Sequence, residues 1–101
     1  EGCKVEVCNV TDPAAVADVV KLVRPDLVFH LAGQSSVAKS WKEHGLTREV
    51  NVGGTKNLLE AVAAANINPK ILLVSSAEVY GLAKKFPTSE SEPLKPISPY
   101  G

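Results

Sequence analysis

Two adjacent serines, a glutamate and a tyrosine are the residues whose types and spacing could do chemistry. Ser75, Ser76 and Glu78 follow directly on Ile71-Leu72-Leu73-Val74, and Tyr100 follows Ser98-Pro99. A hydroxyl can donate to an oxygen that is gaining charge or accept from a neighbour, and a carboxylate accepts. A phenol holds its proton to about pH 10 and can pass it on when positive charge lies close by. Each residue also has a plainer use: a serine at a strand end can satisfy local backbone, Glu78 can be solvated, and a tyrosine after a proline can simply pack.

The elements that must position these residues read as follows. Ile71 to Ser76 is a short apolar run after Asn68-Pro69, which predicts a strand buried on both faces. In open α/β sheets the carboxyl ends of strands face the ligand crevice, so Ser75, Ser76 and Glu78 are expected there. Lys4 to Val10 alternates and predicts a first strand. Asp12 is an N-cap with Pro13 at the first helical position. Val16, Val19, Val20 and Val23 give that helix one apolar face, Arg24 suits its C-terminal dipole and Pro25 ends it. Leu27 to Ala32 predicts the second strand, with Gly33-Gln34-Ser35-Ser36 as its exit loop.

Ser40 to Gly45 reads as irregular or loosely helical. A helical period then runs from Leu46 to Asn66 with Gly53 and Gly54 inside it. Two mid-helix glycines cost roughly 1 kcal/mol each against alanine, which points to a close backbone approach. Gly81 to Ser98, with Pro87, Pro93 and Pro96, is a long polar loop of the kind that is often functional. Ser98-Pro99-Tyr100 then reads as the start of another helix. The alternation is that of an α/β, Rossmann-like doubly wound parallel sheet with three strands present.

Composition excludes several classes. The 101 residues carry 11 basic and 11 acidic side chains without a charge block, so nothing favours nucleic acid or an anionic membrane. No apolar run could span a bilayer, and a soluble, cytoplasmic protein is expected. Cys3 and Cys8 read as free thiols, His30 as a core strand residue, and no His/Cys/Asp cluster has metal-ligand spacing. The absence of methionine and the Glu1-Gly2 opening directly ahead of a strand suggest an internal piece of a longer protein.

Motifs in this order carry a resemblance: Cys8-Asn9-Val10-Thr11-Asp12, His30-Leu31-Ala32-Gly33-Gln34-Ser35-Ser36-Val37, Asn51-Val52-Gly53-Gly54-Thr55, Ser75 to Gly81, and Pro99-Tyr100. The chain resembles the extended short-chain dehydrogenase/reductases, the nucleotide-sugar epimerase/dehydratase family. Gln34-Ser35-Ser36-Val37, Ser40-Trp41 and the Glu90 to Tyr100 run are most similar to its GDP-sugar members, the GDP-4-keto-6-deoxymannose reductases and GDP-mannose 4,6-dehydratases.

The resemblance implies NAD or NADP as cofactor and a nucleotide sugar as substrate. It implies Tyr100 as the proton-transferring phenol, with a lysine four positions beyond it, and Ser76 as the hydroxyl that bonds the reacting sugar oxygen. Glu78 matches the glutamate that removes the C5 proton in the dehydratases, but the residue before it is Ala77, which has no acid or base to assist loss of the C6 hydroxyl. That departure suits a reductase or epimerase. For the cofactor, Asn9 stands where an aspartate contacts the adenine amino group, with Val10 after it. Leu31, Ala32 and Gly33 match the loop beside the ribose and phosphates, Gln34 and Ser35 are expected to contact cofactor or sugar, and Asn51 matches the helix asparagine that holds the catalytic lysine through water.

It also implies that residues 1–101 are a partial NAD(P)-binding domain, without the glycine-rich βα units that come first and everything after Tyr100. In the usual strand order the first strand would then be separated from the other two by two absent strands and lack partners. A homodimer through the long helix is a further implication. The rivals are a non-catalytic dinucleotide-binding sensor or scaffold, and a piece with no function of its own.

Overall fold

A computed structural model describes residues 2–101. The chain runs through helix α1 (Pro13–Val23), strand β1 (Leu27–His30), helices α2 (Val37–Lys42) and α3 (His44–Arg48), and a π-helical turn at Glu49–Gly53. Helix α4 (Gly54–Ala64), strand β2 (Lys70–Leu73) and a 3-10 turn at Ala77–Tyr80 complete it. β1 and β2 pair in parallel, with Leu27 opposite Lys70 and His30 opposite Leu73. The crossover between them carries α2, α3, the π turn and α4, as a parallel pair requires.

Local chemistry explains the start of α1. The Asp12 carboxylate accepts from Ala14 N at 3.0 Å and Ala15 N at 3.2 Å, and Pro13 occupies N1, where no N–H is needed. Arg24 ends the helix in the left-handed region at φ 45°, its N–H returning to the Val20 carbonyl. Val16 and Val20 of α1 pack with Leu58, Ala61 and Val62 of α4 to form the core, against which Val28 and Ile71 bring one face of the sheet. Val19 is half-buried, whereas Val23 lies largely in solvent, because the αL cap turns the chain away from the core there.

Four expectations are corrected. Lys4 to Val10 forms no strand: Val5 and Val7 are exposed, and the sheet among the described residues has two strands, not three. A strand exists only through a ladder of hydrogen bonds to a neighbour, and none lies beside this segment. The strands are covered on one face only; Leu27, Phe29 and Leu72 are each at least half exposed. The long helix is not continuous from Leu46 to Asn66, since it is built of α3, the π turn and α4, with Asn66 at φ 50° turning the chain out. Residues 98–101 contain no helix, although the Ser98 hydroxyl accepts from Gly101 N at 3.1 Å, the bond an N-cap serine makes.

The two glycines divide. A Cβ on Gly54 would meet Val10 Cγ2 at 2.8 Å, and the nearby Asn57 side chain donates to the Val10 carbonyl at 2.9 Å. Gly54 is thus the point where the Asn9–Thr11 segment lies against the helix. A Cβ on Gly53 would meet nothing within 4 Å. Gly54→Ala is therefore expected to destabilise by about 1–3 kcal/mol through overpacking, and Gly53→Ala to stabilise by about 0.5–1 kcal/mol. Thermal unfolding of the two variants should move in opposite directions.

Candidate active site

A cleft of about 460 Å³ opens beyond the carboxyl ends of β1 and β2. Its walls are the His30–Ser35 segment after β1, Leu73–Ser76 after β2, Asn51 and Thr55 from the crossover helices, and Val79, Tyr100 and Gly101. Parallel strands deliver their following loops to the same side, so this convergence follows from the topology.

Ser76 is extended, at φ −146°, and caps the 3-10 turn: its hydroxyl oxygen accepts from Glu78 N at 3.2 Å. That bond uses one lone pair and leaves the hydroxyl proton free to be donated into the cleft. Ser76 is therefore held in place by local backbone and available as a donor at once. Tyr100 is half-buried and reaches the same cleft from the far end of the long loop.

The loop is anchored where it leaves and returns. Gly81 adopts φ 62°, ψ −121°, and a Cβ there would lie 2.0 Å from the Lys95 carbonyl oxygen. A Cβ on Gly101 would come within 2.6 Å of the Glu78 carbonyl oxygen. The returning segment of the loop thus lies directly against the turn that follows Ser76, which is how residues so far apart in sequence come to share a cleft.

On the opposite wall, Asn51 holds the loop after β1. Its side-chain oxygen accepts from Gln34 N at 2.7 Å and its amide donates to the Gln34 carbonyl at 3.0 Å. Gly33 lies close against the same side chain: a Cβ there would approach Asn51 Oδ1 to 3.2 Å, so a larger residue would require the asparagine to give by a few tenths of an ångström. The resemblance implied contact between Gln34 and the ligand, but the Gln34 carboxamide is turned inward. Its oxygen accepts from Ser36 N at 2.5 Å, and its amide donates to the Ser36 carbonyl at 3.1 Å and to Thr47 Oγ1 at 2.9 Å.

His30, expected as a core strand residue, and Thr55, not singled out from the sequence, both line the cleft. His30 Nε2 lies 3.1 Å from Thr55 Oγ1, and the Thr55 hydroxyl donates to the Asn51 carbonyl at 2.7 Å. The threonine has a single hydroxyl proton, so His30 must be the donor to it. The available signal was the position of His30, at the last place in a strand whose next residues form the cleft.

Of the residues singled out from the sequence, the cleft brings together Ser76, Tyr100, Leu31, Ala32, Gly33, Gln34, Ser35 and Asn51. Glu78 does not line it, although its backbone N–H joins the Ser76 cap. Asn9 and Val10 lie outside it as well. The Asn9 side chain accepts from the Thr11 N–H and hydroxyl, and Val10 packs on Gly54. Among the described residues no group of three or more His, Cys, Asp and Glu could hold a metal, and no helix is long and apolar enough to cross a membrane.

Comparison with known proteins agrees with this architecture. Over 94 residues, 91% of the chain, it is 36% identical to a GDP-mannose 4,6-dehydratase of Yersinia enterocolitica. Over 77 residues it is 40% identical to a UDP-glucose 4-epimerase of Mycolicibacterium smegmatis, covering 76% of the chain. It spans about a quarter of the length of each of these curated relatives. Among solved structures, RMD from Pseudomonas aeruginosa complexed with NADPH superposes with a TM-score of 0.84 at 33% identity, covering 94% of this chain and 32% of that one. A UDP-glucose 4-epimerase from Bifidobacterium longum in complex with NAD+ and UDP superposes at 0.90 and 31% identity, covering 99% and 30%. These likenesses establish a partial Rossmann-like α/β fold. The family model described as GDP-mannose 4,6 dehydratase matches residues 1–101, and the chain belongs to that family of nucleotide-sugar dehydratases and epimerases.

Proposed function

We propose that this chain is one stretch of an NAD(P)-dependent nucleotide-sugar oxidoreductase, and that the enzyme reduces a GDP-4-keto-6-deoxy sugar at C4. The observation that carries the reading is that Ser76, Tyr100 and the small-residue loop Leu31–Ser35 line a single cleft at the carboxyl ends of parallel strands. Ala32 and the absent side chain of Gly33 leave backbone open to close approach, which fits the ribose and phosphates of a dinucleotide. When bound, NAD(P)H supplies the hydride.

The chain's own residues handle the oxygen. As the carbonyl at C4 becomes an alcohol, the Ser76 hydroxyl donates to its oxygen and the Tyr100 phenol passes it a proton. Asn51 keeps the loop after β1 in place through Gln34. Ala77 offers neither acid nor base beside a C6 hydroxyl, and Glu78 stands back from the cleft, which favours reduction over dehydration.

The family match and the names of the relatives favour a second reading, a GDP-mannose 4,6-dehydratase or a 4-epimerase. In the same proposal residues 1–101 belong to a larger cytoplasmic NAD(P)-binding domain, whose remaining layers would cover Leu27, Phe29 and Leu72. A homodimer would cover Val52 and Leu59, which are exposed two helical turns apart.

The deciding experiment assays the full gene product with GDP-mannose and with GDP-4-keto-6-deoxymannose, following NAD(P)H absorbance and the sugar product. Net consumption of NAD(P)H with the keto sugar supports the reductase. Conversion of GDP-mannose with no net change in NAD(P)H identifies a dehydratase working despite Ala77. Binding of NAD(P)H without turnover of either sugar, or of UDP-glucose, points to a sensor or scaffold.

A further inference from the structure

Thr47 lies 2% exposed on α3 and does not itself line the cleft, and yet it is bonded to the cleft loop. We infer that Thr47 is a positioning residue for the cofactor loop and acts through the side chain of Gln34. The inference rests on the reading of the Leu31–Ser35 wall as the cofactor side.

The Gln34 carboxamide has two N–H donors and one oxygen, and all are engaged within the protein. Its oxygen and one donor close a ring on the Ser36 backbone, and its other donor goes to Thr47 Oγ1 at 2.9 Å. The Thr47 hydroxyl has a fixed direction, because its own proton goes to the Glu43 carbonyl at 3.0 Å, leaving a lone pair for Gln34. Ser36 is tied a second time, its hydroxyl accepting from Lys39 N at 3.1 Å as the cap of α2. Together with the paired bonds from Asn51 to the Gln34 backbone, these contacts fasten both ends of Gly33–Ser36 to the helices.

An irregular four-residue segment has no ladder to define its shape, so these side chains set the shape of the cleft wall. Removing the Thr47 hydroxyl leaves the Gln34 amide without its buried acceptor, and the carboxamide is then free to leave the ring on Ser36. The loop samples other shapes, and a ligand that needs one of them binds more weakly by the fraction lost.

Thr47→Val keeps shape and volume and deletes only the hydroxyl, while Thr47→Ser retains it. In the full gene product, NADPH titration by fluorescence is expected to give about tenfold weaker binding for Thr47→Val. The Ser variant should stay close to wild type, and kcat at saturating NADPH should be nearly unchanged. Amide exchange at Gln34 and Ser36 in the free protein should accelerate in Thr47→Val by a similar factor.

Gln34→Met, which has the same length and no hydrogen bonds, should weaken NADPH binding too. In that background Thr47→Val should add nothing further, since the two act as one unit. If Thr47→Val does not fold, Gln34→Met alone decides: wild-type exchange at Ser36 and wild-type NADPH affinity in it overturn the inference. So do wild-type affinity in a folded Thr47→Val, whatever its melting temperature, and fully additive effects in the double variant. A wild-type protein that binds neither NADPH nor NADH instead removes the cofactor reading itself, and the positioning role with it.

Discussion

Tyr100→Phe in the full gene product is expected to lower kcat by about 10²–10⁴-fold, the range in which a positioned proton donor contributes. NADPH affinity should stay close to wild type. The change deletes one oxygen from a half-buried ring at the cleft and leaves the ring to pack as before. On the proposed reading, hydride transfer to a carbonyl carbon leaves charge on its oxygen, and without the phenol Ser76 alone would face that charge as a donor, its oxygen already accepting from Glu78 N in the cap of the 3-10 turn. Single-turnover measurement of NADPH oxidation in the presence of the keto sugar isolates this step from product release. An unchanged rate would reassign Tyr100 to packing, and the proton would have to come from elsewhere.

Gly81→Ala should be the most damaging small substitution, because two independent penalties coincide. The backbone at φ 62°, ψ −121° is open to glycine and strained for any L-residue by about 1–3 kcal/mol. The new methyl would also lie 2.0 Å from the Lys95 carbonyl oxygen, with Ile97 Cγ2 at 3.3 Å behind it. Backbone cannot rotate aside as a lysine head could, so the returning segment of the loop must move, and overpacking of this kind adds about 1–3 kcal/mol. Thermal unfolding should show a loss of roughly 2–6 kcal/mol, the sum of the two ranges. Lys95 to Ile97 lead directly into Tyr100, so activity should fall even in the fraction that remains folded. A melting temperature equal to wild type would show that the long loop does not return across Gly81.

The contrast among the glycines shows how unevenly the sequence reports such contacts. Gly53 and Gly54 are adjacent and look alike in a helical pattern, and only the second approaches another segment. Gly81 reads as a loop residue of no special position, yet Lys95 and Ile97, on the segment that leads to Tyr100, pack against it.

The sequence by itself determined what local physics decides. Asp12-Pro13 starts α1, Arg24-Pro25 stops it, the valines at Val16 and Val20 face the core, and the apolar runs at Leu27 and Ile71 become parallel strands with their following residues at one cleft. The ends of α1 rest on hydrogen bonds within a turn. The valine face and the strands were legible as periodicity and apolar runs and are completed by distant partners, Val16 and Val20 by Leu58 and Ala61 and Leu27 by Lys70. The motif order was enough to indicate the family.

Only the tertiary structure decided what depends on partners distant in the chain. Whether Lys4 to Val10 becomes a strand depends on a neighbour rather than on its alternation, and among the described residues it has none. The inward turn of Gln34 depends on Thr47 and Asn51 arriving from the helices, and the cleft position of His30 on Thr55 one helix away. The presence of Ser76 and Tyr100 in one cleft depends on a loop that returns past Gly81 and against Glu78. Spacing along a sequence carries no distance between such groups, so their contacts become definite only when the chain closes on itself.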